Sequence, residues 1–339
     1  MNVISLKNKK ILLIAPIFFG YQLDIRDKLE EFGANVDFLP DRPFQSSFLK
    51  AVTRIFRPIT TPYSNYFFKK KISSFEEAKF DYIFVVQGES LTPDVLTFMA
   101  QSHKNARKIL YLWDSFENKK WLLNNIKFFD DVFTFDISDA RKYQINFRPL
   151  FFVDKFLDNE PSLHEVELPY YDLVFIGTIH SDRLKIINAI GSKLDSSEKF
   201  FRYQFLQAKW LFYFKKILSS DFADSKTADF FFKPLSKTKI SNLFSMTKAV
   251  LDIEHPNQSG LTMRTFEVLA SGKKLVTTNK NILVYDFYDP NLIHIIDREN
   301  LDGVSIPKFF FSQDFPFCKK KFEKNYSLHA WIKEIFKIN

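Results

Sequence analysis

Glycine is scarce in this 339-residue sequence, with 8 residues against 42 phenylalanines. So few flexible positions beside so much aromatic bulk exclude a low-complexity or disordered chain and point to a well-packed globule. Cysteine is rarer still. The single Cys318 rules out an internal disulfide framework and fits a reducing compartment, so a cytoplasmic location is expected. No apolar run approaches the roughly 18 residues that a membrane-spanning helix needs. The run in MNVISLKNKKILLIAPIFFGYQ is short, passes into a helical pattern and has no A-x-A site, so it reads as a first strand rather than a signal peptide. A G-x-G-x-x-G turn is missing, which weighs against a dinucleotide oxidoreductase. DIEH, FDD and DISD occur without a strand-end Asp-x-Asp, and no His/Cys cluster is present. Neither a divalent-ion site nor a zinc site is expected, and no cofactor.

What the sequence does have is alternation. KILLIAPIF is a continuous apolar run suited to a strand covered on both faces, and YQLDIRDKLEEFG follows with helical spacing and a closing glycine, Gly33. NVDFLP, FDYIFVVQG, RKILYLWDS and DDVFTFD read as further strands, with a helix in TPDVLTFMAQSH and a short one from Ser138. Near Pro149 the period lapses into RPLFFVDKFLDNEPSLHEVELPYY, richer in proline and acid, which reads as a linker region. The grammar restarts in YDLVFIGTIHSDRLKIINAIG, and ADFFFKP, KAVLDIEH, KKLVTTN and LIHII supply later strands. The expected class is α/β, with two nucleotide-fold halves of parallel sheet. The expected division is residues 1–155, residues 156–315 and a helical segment, residues 316–339, that packs back on the first domain.

Charge is uneven. The formal net charge is +8, and Phe48 to Ser74 carries six basic residues, no acidic ones and interleaved aromatics. Lys199 to Lys216, KFFRYQFLQAKWLFYFKK, repeats that composition. Cations beside Phe, Tyr and Trp suit an anionic membrane surface; a solvated basic face over a core is the plainer alternative. Without a recognisable nucleic-acid module, nucleic acid is not an expected partner.

The few glycines mark the loops beyond the strands, where open parallel sheets build their crevices. Gly20, Gly88, Gly177 and Gly260 are read as lying just after strands or before helices. Gly177 and Thr178 precede HSDRLKII, so turn amides and Arg183 would meet an anion there. In EHPNQSGLTMRTFEVLASG, Met263, Phe266, Leu269 and Ala270 form an apolar stripe. Arg264 and Glu267 lie off that stripe, suited to phosphate and to a ribose diol, or else forming an i,i+3 surface ion pair. The loop before them packs His255, Asn257, Ser259 and Gly260 together. In the first half, Glu89 in VVQGES and Asp114 in YLWDS follow apolar runs and are candidate proton acceptors. Asp114 equally suits a helix cap, and Glu89 a loop anchor. Trp113 offers a ring to line a sugar site.

The sequence resembles the GT-B glycosyltransferases, two Rossmann-like domains facing each other across a cleft, and particularly the CgeB-like branch that builds bacterial capsule or lipopolysaccharide. FIGTIHSDRL and GLTMRTFEVLASGK carry the likeness, the latter similar to a G-x-x-x-R-x-F-E-x-x-A-x-G signature, together with FFGYQLDIRDKLEEFG, LPDRP and YLWDS. The resemblance implies transfer of a sugar from a nucleotide donor to a surface polysaccharide or lipid-linked glycan, at the inner face of the cell membrane. It implies that Glu267 holds the donor ribose and that Arg264 and the Gly260 loop, with Leu261 and Thr262, address the diphosphate. Gly20 and Tyr21 would lie on the acceptor side. Retaining members carry E-x7-E, but Ser259 stands eight positions before Glu267, which leaves the stereochemistry open. His255-Pro256 also occurs as His-Pro in transferases of CMP-activated acidic sugars, an alternative donor. A catalytically silent module that binds an anionic glycan or lipid is the alternative outside catalysis.

Overall fold

The computed structural model describes residues 5–44, 57–75, 79–157, 171–312 and 318–338, which fall into two compact units. The first unit takes Met1–Leu150, Asn257–Gly260 and Leu328–Asn339; the second takes Phe151–Pro256 and Leu261–Ser327.

The first unit begins with β1 (Lys10–Ala15), α1 (Tyr21–Glu31), β2 (Asn35–Pro40), α2 (Arg57–Ser73), β3 (Tyr82–Val86), α3 (Pro93–Ser102) and β4 (Arg107–Leu112). β5 (Asp131–Thr134), α4 (Ile137–Tyr143) and β6 (Asn146–Phe147) follow. The described strands form one parallel sheet in the order β2-β1-β3-β4-β5-β6, with Ile11 opposite both Val36 and Tyr82. Ile11 through Ile14 have no exposed surface, as expected of a strand with neighbours on both sides and cover on both faces. The chain leaves β1 toward β2 and returns on its other side as β3. The carboxyl ends of β1 and β3 therefore flank a topological switch point, where such sheets place ligands. Thr92 caps α3 by accepting from Val95 N, with Pro93 in the first turn.

The second unit contains β7 (Tyr171–Thr178), α5 (Arg183–Lys193), β8 (Phe200–Phe205), α6 (Lys209–Leu218), α7 (Lys237–Ser245) and β9 (Thr247–Asp252). It continues with α8 (Met263–Ala270), β10 (Lys274–Thr277), β11 (Ile293–Ile295), α9 (Lys308–Ser312) and α10 (Lys319–Tyr326). Its sheet is also parallel, ordered β11-β10-β9-β7-β8, with the switch point between β7 and β9. The final helix, α11 (Leu328–Ile335), belongs to the first unit. Its Trp331 is fully buried, 4.6 Å from the Tyr111 ring and 5.7 Å from that of Phe84. Truncating such an indole costs about 3–5 kcal/mol.

Two local expectations change, and the basic-aromatic stretches acquire elements. ADFFFKP forms no strand: a short turn at Thr227–Asp229 leads to one isolated bridge between Phe231 and Phe205. The basic-aromatic stretch from Lys199 contains β8 and α6, and the described part of the stretch from Phe48 is α2, with Pro62 inside it. Residues 48–56 of that stretch and 158–170 of the linker region lie outside the described residues. Gly177 is not in a turn: it and Thr178 are the last residues of β7, paired with Gln204 and Phe205.

Candidate active site

At the switch point of the second unit, the carboxyl ends of β7 and β9 bring charges together. Arg183 opens α5, and its Nη1 donates 2.9 Å to the carbonyl of Thr178. A Cβ on Gly177 would meet Phe175 at 2.9 Å and Arg183 Nη1 at 3.5 Å, so the glycine lets the guanidinium lie close over the strand. Burial pulls the Arg183 pKa down to about 10, Asp252 and Glu254 oppose that pull, and Arg298 and Arg264 add to it. Arg264 and Arg298 thus both lie within electrostatic reach of Arg183.

Each carboxylate among them is engaged. Asp252 Oδ2 accepts from the Thr262 and Thr265 hydroxyls, both at 2.7 Å, while Thr262 caps α8 by accepting from Arg264 N. Those bonds tie the start of α8 to the end of β9. Glu254 accepts from Thr278 Oγ1 and Arg298 Nη1, and Arg298 Nη2 donates 2.6 Å to the Glu254 carbonyl. Burial raises the Glu254 pKa, against the pull of Arg298 and the Thr278 bond. Arg298 Nε also lies 3.0 Å from Asp182, the residue before α5. Arg264 Nη1 donates to Glu267 Oε2, and its guanidinium carbon sits 5.3 Å from the Phe244 ring centroid. The Nε atoms of Arg183 and Arg264 are buried without a hydrogen-bond acceptor in the protein. Buried donors in that condition are uncommon and call for an explanation.

The structure corrects the sequence reading of α8. Glu267 is 2 % exposed and Thr265 through Ala270 are all buried, so the helix has no solvated face beyond Arg264. The Arg264–Glu267 pair forms at its i,i+3 spacing, but inside the protein rather than on its surface. Leu261 is buried, at 1 % exposure. His255 is half-buried, its ring 5.5 Å from that of His180.

Asn257, Ser259 and Gly260 belong to the first unit, where Asp136 holds the loop. Asp136 Oδ2 accepts from Ser259 N at 2.7 Å and Gly260 N at 3.1 Å, and Oδ1 accepts from the Ser259 hydroxyl. Ser115 Oγ donates 2.7 Å to the Asn257 carbonyl. A Cβ on Gly260 would strike the Phe135 ring at 2.5 Å and its carbonyl at 2.8 Å, so the glycine serves a close backbone approach. The Ser259 and Gly260 amides, in the loop that the resemblance sets toward the diphosphate, are engaged by Asp136.

The first unit's own switch point is also charged. Glu89 lies between Lys119 Nζ, at 2.7 Å, and Arg42 Nη2, while its backbone N donates to Asp41. Burial works against the Glu89 carboxylate, yet Lys119 and Arg42 hold its pKa below the usual range. Asp41 is 1 % exposed, and burial raises its pKa to about 6. Asp114 is half-buried; its Oδ1 accepts from Ser115 N at 3.0 Å and Asn118 Nδ2 at 2.8 Å. These bonds hold the turn after β4 and do not cap a helix, since the next helical turn, Lys120–Phe128, has Lys119 at its N-cap. Trp113 lies 6.1 Å from Phe18, and Phe18 and Phe19 are exposed beside Gly20, the left-handed N-cap of α1. Tyr21 is instead buried, at 6 % exposure.

Sequence reasoning missed Arg298, Glu254, Asp252, Arg42, Lys119, Asp41 and Asp136. A charged residue directly after an apolar run is the available signal, as in LIHIIDREN and AVLDIEH.

No protein-family model and no curated protein matches the chain. Solved structures do match in shape. A glycosyltransferase from Rickettsia africae ESF-5 superposes with a TM-score of 0.59 at 12 % identity, covering 98 % of this chain and 100 % of that one. Trehalose-6-phosphate synthase from E. coli, bound with UDP-2-fluoro glucose, gives 0.57 at 10 % identity, covering 98 % and 100 %. HepE from Anabaena, in complex with UDP and glucose, gives 0.51 at 11 % identity, covering 97 % and 95 %. With its two parallel-sheet α/β domains, the chain has the fold of the GT-B glycosyltransferases.

Proposed function

We propose that this protein is a glycosyltransferase whose second unit holds a nucleotide-sugar donor and whose first unit holds the acceptor. The observation that carries this reading is the gathering of Arg183, Arg264 and Arg298 at the switch point of the second sheet, two of them with buried Nε donors lacking a protein acceptor. A diphosphate supplies the acceptors and the negative charge that such a cluster suits. UDP or a UDP sugar bound to the similarly folded E. coli and Anabaena proteins makes UDP the first donor nucleotide to test.

In this reading Arg264 exchanges the Glu267 carboxylate for the donor diphosphate, leaving Glu267 to accept from the ribose hydroxyls. The acceptor hydroxyl attacks the anomeric carbon. The new carbon–oxygen bond forms as the bond to the diphosphate breaks, and the electron pair departs on the nucleoside diphosphate, neutralised by the arginines. Asp114 is the better placed of the two candidate bases, because both of its hydrogen bonds fall on Oδ1, whereas Glu89 is bound by two cations. Arginines rather than a metal neutralise the leaving group. The acceptor is a surface polysaccharide or lipid-linked glycan of the capsule or lipopolysaccharide type, reached from the inner face of the cell membrane. His255 beside His180 favours one second reading, a CMP-activated acidic sugar as donor.

Incubating the protein with UDP, GDP and CMP sugars and measuring nucleotide release tests both. Release from one nucleotide class, abolished in Arg264→Ala, supports transfer. No release from any of them, with or without glycan acceptors, favours a silent binding module.

A further inference from the structure

On α6, Trp210, Tyr213, Phe214, Ile217 and Leu218 fall at the spacings that make one helical stripe. They are 47, 58, 55, 83 and 67 % exposed. The opposite side is anchored: Phe212 is 2 % exposed, with its ring 5.2 Å from Phe230 and 6.4 Å from Phe222. Exposed apolar residues scattered singly need no explanation, but a contiguous stripe of five marks an interaction surface.

Charge selects the partner. α6 holds no acidic residue, and Lys199 to Lys239 contains nine Lys or Arg against three Asp. Lys209 and Lys216 are exposed at the two ends of the helix. Lys215 lays its ammonium over the Phe222 ring, 5.4 Å from the centroid, with its apolar stem covering the core. A second copy docking through this stripe would bring like charges together. An anionic lipid surface meets both requirements, since rings and aliphatic tips enter the headgroup boundary while lysines meet lipid phosphates.

We propose that α6 is an interfacial helix that inserts its Trp210–Leu218 stripe into an anionic bilayer surface. The assignment deepens the proposed transfer to a surface or lipid-linked glycan and rests on that reading for its purpose. Insertion makes the attachment partly apolar, so salt weakens it without abolishing it.

The experiment is sedimentation of the full chain with phosphatidylcholine vesicles, with and without phosphatidylglycerol. Wild type should sediment with the anionic vesicles only. The double substitution Phe214→Ser, Ile217→Ser should lower the partition coefficient roughly tenfold or more. Lys209→Gln with Lys216→Gln should lower it by about fivefold per lysine at low salt. Phe214, Ile217 and Lys209 are exposed, so the serine variant should melt like wild type; Lys216 donates 2.8 Å to the Ser225 carbonyl, so the lysine variant's melting temperature is measured beside its binding, and Lys209→Gln alone should melt like wild type. Wild type that stays in the supernatant, or a serine variant that binds like wild type, overturns the proposal. So does a wild-type dimer that the serine variant dissociates, which would assign the stripe to a second copy, and so does capture by an oligonucleotide in place of vesicles. Thermal shift with UDP, GDP and CMP on the same variants keeps the two readings apart: the shift that one of them gives should be unchanged, and the absence of any shift in wild type would count against the donor reading alone.

Discussion

Arg298 grips Glu254 twice, donating through Nη1 to its carboxylate and through Nη2 to its carbonyl, and so joins the loop after β11 to the loop after β9. The two side chains are 13 % and 6 % exposed. Removing one partner of a buried pair leaves the other desolvated and uncompensated, so Arg298→Ala should lower stability by about 3–5 kcal/mol. Arg298→Lys should recover only part, since an ammonium lacks the two-pronged fork. Adding Glu254→Gln to Arg298→Ala should restore stability by removing the stranded charge. Denaturant unfolding checks all three, and an unchanged midpoint in Arg298→Ala would refute the clamp.

Glu267→Ala should weaken nucleotide binding by about 1.5–3 kcal/mol, as for a hydrogen bond to a charged group, with the fold retained. Because Glu267 pairs with Arg264, the two alanine variants should be non-additive, with a coupling of about 0.5–3 kcal/mol in a double-mutant cycle. Nucleotide titration by calorimetry decides. Affinity unchanged in a folded Glu267→Ala variant would exclude the ribose role.

The sheets were legible in the sequence because buried parallel strands read as continuous apolar runs, as in KILLIA and KAVLDI. The edge strand β8 was not, because FFRYQF mixes exposed and buried positions inside a basic-aromatic stretch. ADFFFKP has strand composition but only one bridge to pair with. Within the candidate site, Arg183, Arg264 and Glu267 were visible through their spacing from strand ends and glycines. Arg298 was not: β11 is three residues long, and DREN reads as a solvated turn until the fold carries it to Glu254. The burial of Glu267 was hidden too, because helical periodicity reports one covered face, whereas α8 is enclosed on nearly all sides.

Asp41 should leave a signature in pH. Burial raises its pKa from 3.8 to about 6, so the folded chain binds this proton more tightly than the unfolded one. The Asp41 contribution therefore falls as pH rises through that window. Asp41→Asn removes the dependence and keeps an acceptor for Glu89 N. Relative to wild type, the variant should gain about 2–3 kcal/mol between pH 4 and pH 7. Unfolding midpoints across that range test it, and a constant offset between the two proteins would contradict it.

Chelation should leave activity intact. Among the described residues no group of three or more His, Cys, Asp or Glu side chains is placed to hold a metal ion, and in the proposed reading Arg183, Arg264 and Arg298 supply the charge for the leaving diphosphate. Turnover measured with EDTA should match turnover without it. Loss restored by magnesium or manganese would refute this.

The central claim is that the arginine cluster of the second unit binds the phosphate groups of a donor nucleotide. The most direct measurement is the melting temperature of the full chain titrated with UDP, GDP and CMP, since only a ligand of the folded state raises it in step with occupancy. One nucleotide should produce a saturable rise that shrinks in Arg183→Ala, Arg264→Ala and Glu267→Ala alike. A flat melting temperature with all three nucleotides would contradict the account.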